Sequence, residues 1–565
     1  MNFGKIVLHL KFLKGVLLMF TLTINGEEKT FDKPLALKEL IDDPQQQYYV
    51  ALVNHRMREL NYIIESDAVV EFIDSKNAEA IFTYEASLRF IISKAFYNLY
   101  PNYDFKFNYS ISRSTFCHVL NLPKSHSISQ LIKEIEAEMH RIVEEDMPIE
   151  RLEMTKDEAI DFYKKHDYND KIDIVKYRPE STVHFYKCGN YMNYMYNLMV
   201  PSTGYIKNFK LRTYHPGFLI QYPRAEEQGE IPAFEDAPIY SRTLKQANKW
   251  AKRIDAESIS KMNRYVEQHS IAEFVQMSES KHNQMIAEIG KIVKDNRDDI
   301  RLIAIAGPSS SGKTTFSTRL RIELMTQGLK PIMISLDDYY LDRDKIKPNE
   351  KGEIDLEHIN TLDIELLNKN MLDLIDGKEV DIPIFDFSQK KRSGYRKLQI
   401  DQDHPIIIEG IHALNDTLTA LIPKHQKYKI FISPQLQVNI DHHNPISITN
   451  LRLLRRIVRD KKFRNSPASR TISMWDSVRR GEFKWIYPHQ EGADYIFNSG
   501  LAYELCVMKK YAMDTLEEIA RDSEYFITAN RLIKFLKYFK DIADEHVPCN
   551  SLLREFIGGS CFDLE

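Results

Sequence analysis

Nine residues, "GPSSSGKTT" at 307–315, leave this chain few folds to choose from. They follow the apolar run "RLIAIA" and lead into the helix-forming "TTFSTRLRIELM". Gly307, Gly312, Lys313 and Thr314 satisfy G-x-x-x-x-G-K-[ST], a pattern that arises by chance in roughly 2% of chains this long. The glycines let backbone N–H groups turn inward, and the start of the following helix adds positive potential. Ser309, Ser310, Ser311 and Thr315 complete a cradle shaped for phosphate. Lys313 brings a compact charge to outer phosphates, and the Thr314 hydroxyl can ligate Mg²⁺. ATP or GTP is the expected ligand. Further short apolar runs, "PIMISLD", "PIIIEGI", "YKIFIS" and "ADYIFN", alternate with helical stretches across residues 299–540. That alternation predicts a mostly parallel sheet buried on both faces, an α/β architecture.

Carboxylates stand where such a sheet binds ligands, at the carboxyl ends of its strands. "MISLDDYYLDR" sets Asp337 and Asp338 at one strand end, and "IIIEGI" sets Glu409 at another. One aspartate could take a proton from a hydroxyl nucleophile, and Glu409 could hold a metal or its water shell. Later, "LRLLRRIVRDKKFR" spaces Arg452, Arg455, Arg456 and Arg459 over one broad helical face. A charge run is usually a solvated face. Beside a phosphate cradle, such a helix could instead close over polyphosphate, neutralise developing charge and exclude water.

Bulk properties exclude less. The chain has 565 residues, long enough for two to four domains. The formal net charge of −4 supplies no global basic field for nucleic acid. Five cysteines lie far apart with no C-x-x-C pair, which argues against a disulfide framework or a ribbon-type zinc site. A reducing cytoplasm is the simplest setting. Residues 1–19 read as an N-terminal extension, since lysines interrupt the apolar run and no small-residue cleavage site follows. No run is long enough for a membrane span.

The front half alternates differently. Residues 20–75 read as a small β-rich unit with a short helix at "LALKELID". Residues 76–225 mix helices at "EASLRFIISKAFYNLY", "HSISQLIKEIEAEMHRIVEE" and "MTKDEAIDFYKKHD" with aromatic-rich strands. Residues 226–298 contain a helical stretch suited to bridging two lobes, and residues 541–565 form a C-terminal tail.

Together the cradle, "SLDDYY", "DIPIFDFSQKKR", "IIIEGI" and "RLLRRIVRD" resemble the uridine kinase and phosphoribulokinase family of P-loop kinases, over about residues 299–500. The resemblance implies a doubly wound parallel sheet, ATP as donor, Mg²⁺, and the 5′-hydroxyl of a ribonucleoside as acceptor. It puts Asp337 on the catalytic aspartate, with Lys313, Arg455 and Arg459 beside it. Tyr340 falls next to the nucleoside and Glu357 near the ribose hydroxyls. Phe385 and Lys390 replace a tyrosine and a histidine that recognise a pyrimidine. Arg392 matches, Arg452 joins the lid on the substrate side, and Glu409 matches the metal-side carboxylate. The two replacements change the groups facing the base, so the preferred nucleoside is open.

The front half resembles the start of threonyl-tRNA synthetases. Residues 20–75 look like a TGS β-grasp domain, and residues 76–225 like the α+β editing domain, most clearly at "VPSTGYIKNFKL". Ala86 and Phe90 fall on the editing histidines, and Cys188 keeps its place without a following histidine. One cysteine cannot hold a zinc or activate a water. The expectation is a catalytically dead relative, with tRNA or a small-molecule effector as candidate partner and self-association as a further candidate. Two rivals to nucleoside kinase remain open at this point. One is a sugar-phosphate kinase of the phosphoribulokinase kind, and the other is an RNA-associated regulator that uses ATP as a switch.

Overall fold

The computed structural model describes residues 19–24, 26–43, 47–346, 357–386, 389, 391–401, 404–436 and 438–563. Lys390 and residues 1–18 lie outside these. The back half is built on five strands: β1 (Leu302–Ala306), β2 (Ile332–Ser335), β3 (Ile406–Glu409), β4 (Lys427–Ser433) and β5 (Tyr495–Asn498). Their spatial order is β2-β3-β1-β4-β5, and every neighbouring pair is parallel. Helix α1 (Lys313–Thr326) follows β1, and helix α2 (Ile448–Arg464) lies between β4 and β5.

The pleat explains why these strands carry unbroken apolar runs. Ile303, Ile305, Ile407, Ile430 and Ile432 face one layer, together with Phe316 and Leu320 of α1. Leu302, Ala304, Ala306, Ile406, Ile408 and Phe431 face the other, against Leu367 and Met371. Both faces are covered, as a doubly wound sheet requires. Register then aligns the carboxyl ends: Ile305 and Ser335 each pair with Glu409, and Ser433 pairs with Asn498. The phosphate loop, Asp337 and Glu409 therefore leave the sheet along one edge.

In the front half, a five-stranded sheet runs in the order Glu27–Phe31, Phe20–Ile24, Ala68–Asp74, Tyr48–Val53, Arg56–Glu59, with Phe20–Ile24 parallel to Ala68–Asp74. The helix expected at "LALKELID" is only a 3₁₀ turn, Leu37–Leu40. Leu35 and Ala36 pair instead as a short strand with Ile64 and Ile63, and the Leu37 and Lys38 N–H groups donate to the carbonyls of Tyr62 and Leu60, so only four residues are left for the turn. Helix Ala78–Leu99 starts at an Asn77 cap and stops before Pro101. It is buried nearly all round and packs under the antiparallel sheet of Lys210–Tyr214, Gly217–Gln221, Ser114–Val119 and Phe105–Ile111. Thr155 caps the helix Lys156–Lys165 through a capping box with Glu158.

The stretch expected to bridge two lobes does more than span a gap. Helix Ile271–Asp295 packs on α1, with Ile286, Ile289 and Val293 in the same core as β1 and β4. A hairpin of the back half, Asn439–Asp441 with Asn444–Pro445, enters the front half. Asn439 Nδ2 donates to the Phe107 carbonyl at 2.7 Å, and the Phe107 N–H donates to the His442 carbonyl at 2.9 Å. The His443 ring stacks on Phe105 at 4.9 Å between centroids. Beneath them Lys171 and Asp441 form a fully buried ion pair at 3.0 Å. The C-terminal residues also join the core, where Leu552, Leu553, Phe556 and Ile557 are buried.

Candidate active site

The loop between β1 and α1 takes its shape from two left-handed residues, Ser310 at φ +58° and Gly312 at φ +90°. Alternating handedness turns successive N–H groups to one side and makes a concave anion nest. A Cβ on Gly307 would come within 2.1 Å of the Ile432 carbonyl, so only glycine lets the loop pass β4. Lys313 Nζ donates to the carbonyls of Gly307 and Pro308 at 3.1 and 3.4 Å. The hydroxyls of Ser310, Ser311 and Thr315 are buried without a protein partner. Orphaned donors are costly in a closed site unless a ligand completes them, and phosphate oxygens fit that need. Thr314 starts the second position of α1, half-buried.

Asp337 sits just beyond β2, in the 3₁₀ turn Leu336–Tyr339, and Ser335 Oγ accepts its N–H at 3.2 Å. Burial raises its carboxyl above the ordinary value against the opposing charge of Lys313, and Asp338 adds to the rise. At the end of β3, burial pushes Glu409 up to about 7, against Lys313 and with help from Asp337 and Glu555. Burial likewise lowers Lys313, which Glu409, Glu555 and Asp337 counteract. Three carboxylates and one ammonium thus crowd one small recess that is partly open to solvent. A dication there would relieve the excess negative charge, so Glu409 and Thr314 fit a Mg²⁺ site. Among the described residues no three His, Cys, Asp or Glu side chains group as a metal site by themselves.

The arginines of α2 do not form one movable cover. Arg452 and Arg455 lie fully buried, where a guanidinium needs a counter-ion and acceptors. Arg452 pairs with Glu482, donates to Tyr487 OH at 3.0 Å and to the Ser309 carbonyl at 3.1 Å. Arg455 pairs with Glu504 and donates to the carbonyls of Ser499 at 2.8 Å and Ser310 at 3.3 Å. Both therefore brace the loop from its carbonyl side. Arg455 and Arg452, expected as lid residues, contact the backbone carbonyls of the loop in this structure. Arg456 reaches the Ser309 hydroxyl at 3.1 Å. Arg459 leans on Asp460 at 2.8 Å, and its charge is felt at Lys313. Arg464, which sequence reasoning passed over, opposes part of the rise at Asp337 through its charge. Glu482, Glu504 and Glu555 were missed as well, because each lies far along the chain from the group it meets.

The candidate acceptor side gathers Tyr340, Phe385 and Glu357. The Tyr340 and Phe385 rings stand 5.7 Å apart, tilted by 51°. Burial raises the Tyr340 hydroxyl, with Asp337 and Glu357 adding to the rise, so all three share one neighbourhood. Glu357 packs against Gly481, where a Cβ would come within 2.9 Å of the Glu357 Cβ. Arg392 belongs to the rim, with Nη2 on Asp363 at 3.0 Å and its backbone N–H on Asp342 at 2.8 Å. In the front half, Ala86, Phe90 and Cys188 are buried in an apolar core, with the Phe90 ring on Tyr191 at 5.0 Å. No helix among the described residues is long and apolar enough to cross a membrane.

A parallel sheet with a phosphate loop after its central strand, and carboxylates on the neighbouring strand ends, defines a P-loop kinase domain. The profile of the Phosphoribulokinase / Uridine kinase family matches residues 302–505. A uridine kinase of Staphylococcus epidermidis is 32% identical over 201 residues, covering 35% of this chain and 87% of that protein. One of Ligilactobacillus salivarius is 30% identical over 213 residues, covering 37% of this chain and 91% of that protein. The chain belongs to the phosphoribulokinase/uridine kinase family. A further stretch of 165 residues is 34% identical to a threonine–tRNA ligase of Fusobacterium nucleatum, covering 29% of this chain and 26% of that ligase.

Proposed function

We propose that the chain is an ATP-dependent nucleoside kinase that moves the γ-phosphate to the 5′-hydroxyl of a ribonucleoside. The observation that carries this reading is the meeting of Lys313, Asp337 and Glu409 at one sheet edge, with Tyr340, Phe385 and Glu357 beside Asp337. Donor and acceptor then approach in line across Asp337. Its raised carboxyl is suited to accept the hydroxyl proton as the new O–P bond forms, the bond from the β–γ bridging oxygen to the γ-phosphorus breaks and ADP leaves. Lys313 and the loop N–H groups hold the polyphosphate, while Arg456, Arg459 and Arg464 add positive charge nearby. Mg²⁺, held by Thr314 and Glu409, would neutralise the outer phosphates. Catalysis of this kind is mostly positioning and charge stabilisation.

The relatives' names favour uridine, and the Phe385 and Lys390 replacements leave the base to experiment. Incubating the protein with ATP, Mg²⁺ and a panel of ribonucleosides, with sugar phosphates as controls, should yield a nucleoside 5′-monophosphate. Product from sugar phosphates alone would move the acceptor assignment to the phosphoribulokinase side. No product from any acceptor would end the kinase reading.

A further inference from the structure

The C-terminal segment closes over the phosphate cradle. Glu555, in the short helix Arg554–Ile557, accepts the Thr315 backbone N–H at 3.0 Å. Leu552 presses on the loop as well, since a Cβ on Gly312 would come within 2.4 Å of its Cδ2. The segment is anchored on both sides. Phe556 is buried beneath the Arg455 guanidinium at 5.0 Å, and Arg554 Nη2 donates to the carbonyls of Val547 and Asp544 at 2.6 and 2.7 Å. A carboxylate thus occupies a donor of the loop whose N–H groups serve nucleotide phosphates in this motif. Phosphate arriving there meets like charge.

Two exposed cysteines bracket the segment. The Cys561 N–H donates to the Cys549 carbonyl at 3.0 Å. Backbone pairing of that kind brings Cα atoms to about 5–6 Å, the span a disulfide bridges. Desolvation and then the neighbouring Cys549 hold the Cys561 thiol above its ordinary value.

We propose that residues 549–561 are a thiol-controlled strap on the nucleotide site, in which Glu555 competes with nucleotide phosphate and a reversible Cys549–Cys561 disulfide holds the strap shut. This rests on reading residues 307–315 as the nucleotide site. The oxidant is a low-molecular-weight disulfide. The Cys549 thiolate attacks one of its sulfurs, and the other leaves as a thiolate. The Cys561 thiolate then attacks the Cys549 sulfur of the mixed disulfide, and the second thiolate leaves. Two protein thiols give up two protons and two electrons, and the reagent takes them up as two thiols.

The test is ATP affinity of the full chain by titration calorimetry, without acceptor, in four forms: reduced, oxidised with glutathione disulfide, Glu555→Gln, and Cys549→Ser under both conditions. Peptide mass spectrometry checks the bridge. Expected results are ATP binding about tenfold tighter in Glu555→Gln, in line with loss of a charged competitor. Oxidised wild type should bind at least fivefold more weakly and recover with reductant. Cys549→Ser should match reduced wild type under both conditions. Unchanged affinity in Glu555→Gln, absence of the Cys549–Cys561 bridge after oxidation, or a bridge without effect on ATP would each overturn the strap while leaving the kinase reading intact. Failure of every form to bind ATP would overturn both.

Discussion

Glu409 ionises near 4.5 when free of the fold and only near 7 within it. The sign follows from linkage: this carboxyl adds stability below about pH 4.5, and that contribution drains away as pH rises through 7. Glu409→Gln should therefore melt higher than wild type at pH 8 and lose that advantage at pH 5, by thermal denaturation without nucleotide. Equal melting offsets at both pH values would show that Glu409 is not held in this charged crowd. Asp337 and Glu409 were legible in the sequence because a polar residue ending an apolar strand can only sit at the ligand edge. The contacts of Arg455 and Arg452 were not legible, because helical spacing gives a residue's face but not what packs on it. Their partners Glu504 and Glu482 come from segments that only tertiary packing brings close.

Helix α2 shows how one element serves two purposes. Its buried side braces the phosphate loop through Arg452 and Arg455, while Arg459 and Arg464 direct charge toward Lys313 and Asp337. Removing one partner of a buried pair strands the other. Glu504→Ala should cost about 3–5 kcal/mol in chemical denaturation, whereas Arg459→Ala should cost little stability. A Glu504→Ala loss under about 1 kcal/mol would contradict the bracing role. The five parallel strands were readable as elements, since each is a short apolar run two layers deep. "LALKELID" was not, because its first two residues pair as a strand with Ile64 and Ile63, a contact with no local pattern.

Across the whole molecule, the two halves are joined by the Asn439–Pro445 hairpin and its buried Lys171–Asp441 pair. Asp441→Ala leaves a buried ammonium without its counter-ion and should destabilise the chain by about 3–5 kcal/mol, seen as a lower thermal midpoint. A midpoint unchanged from wild type would mean the pair is not closed in solution. This joint was invisible in the sequence, as was the return of the C-terminus to the phosphate loop, since neither leaves a local pattern. In the proposed reaction the phosphate passes to a hydroxyl held at Asp337. The most direct test is single-turnover phosphotransfer from ATP to the preferred nucleoside, comparing wild type with Asp337→Asn at matched ATP occupancy. Wild type should yield a nucleoside 5′-monophosphate, and the variant a rate lower by roughly 10²-fold or more, within the usual reach of a general base. Equal rates for the two proteins would contradict it.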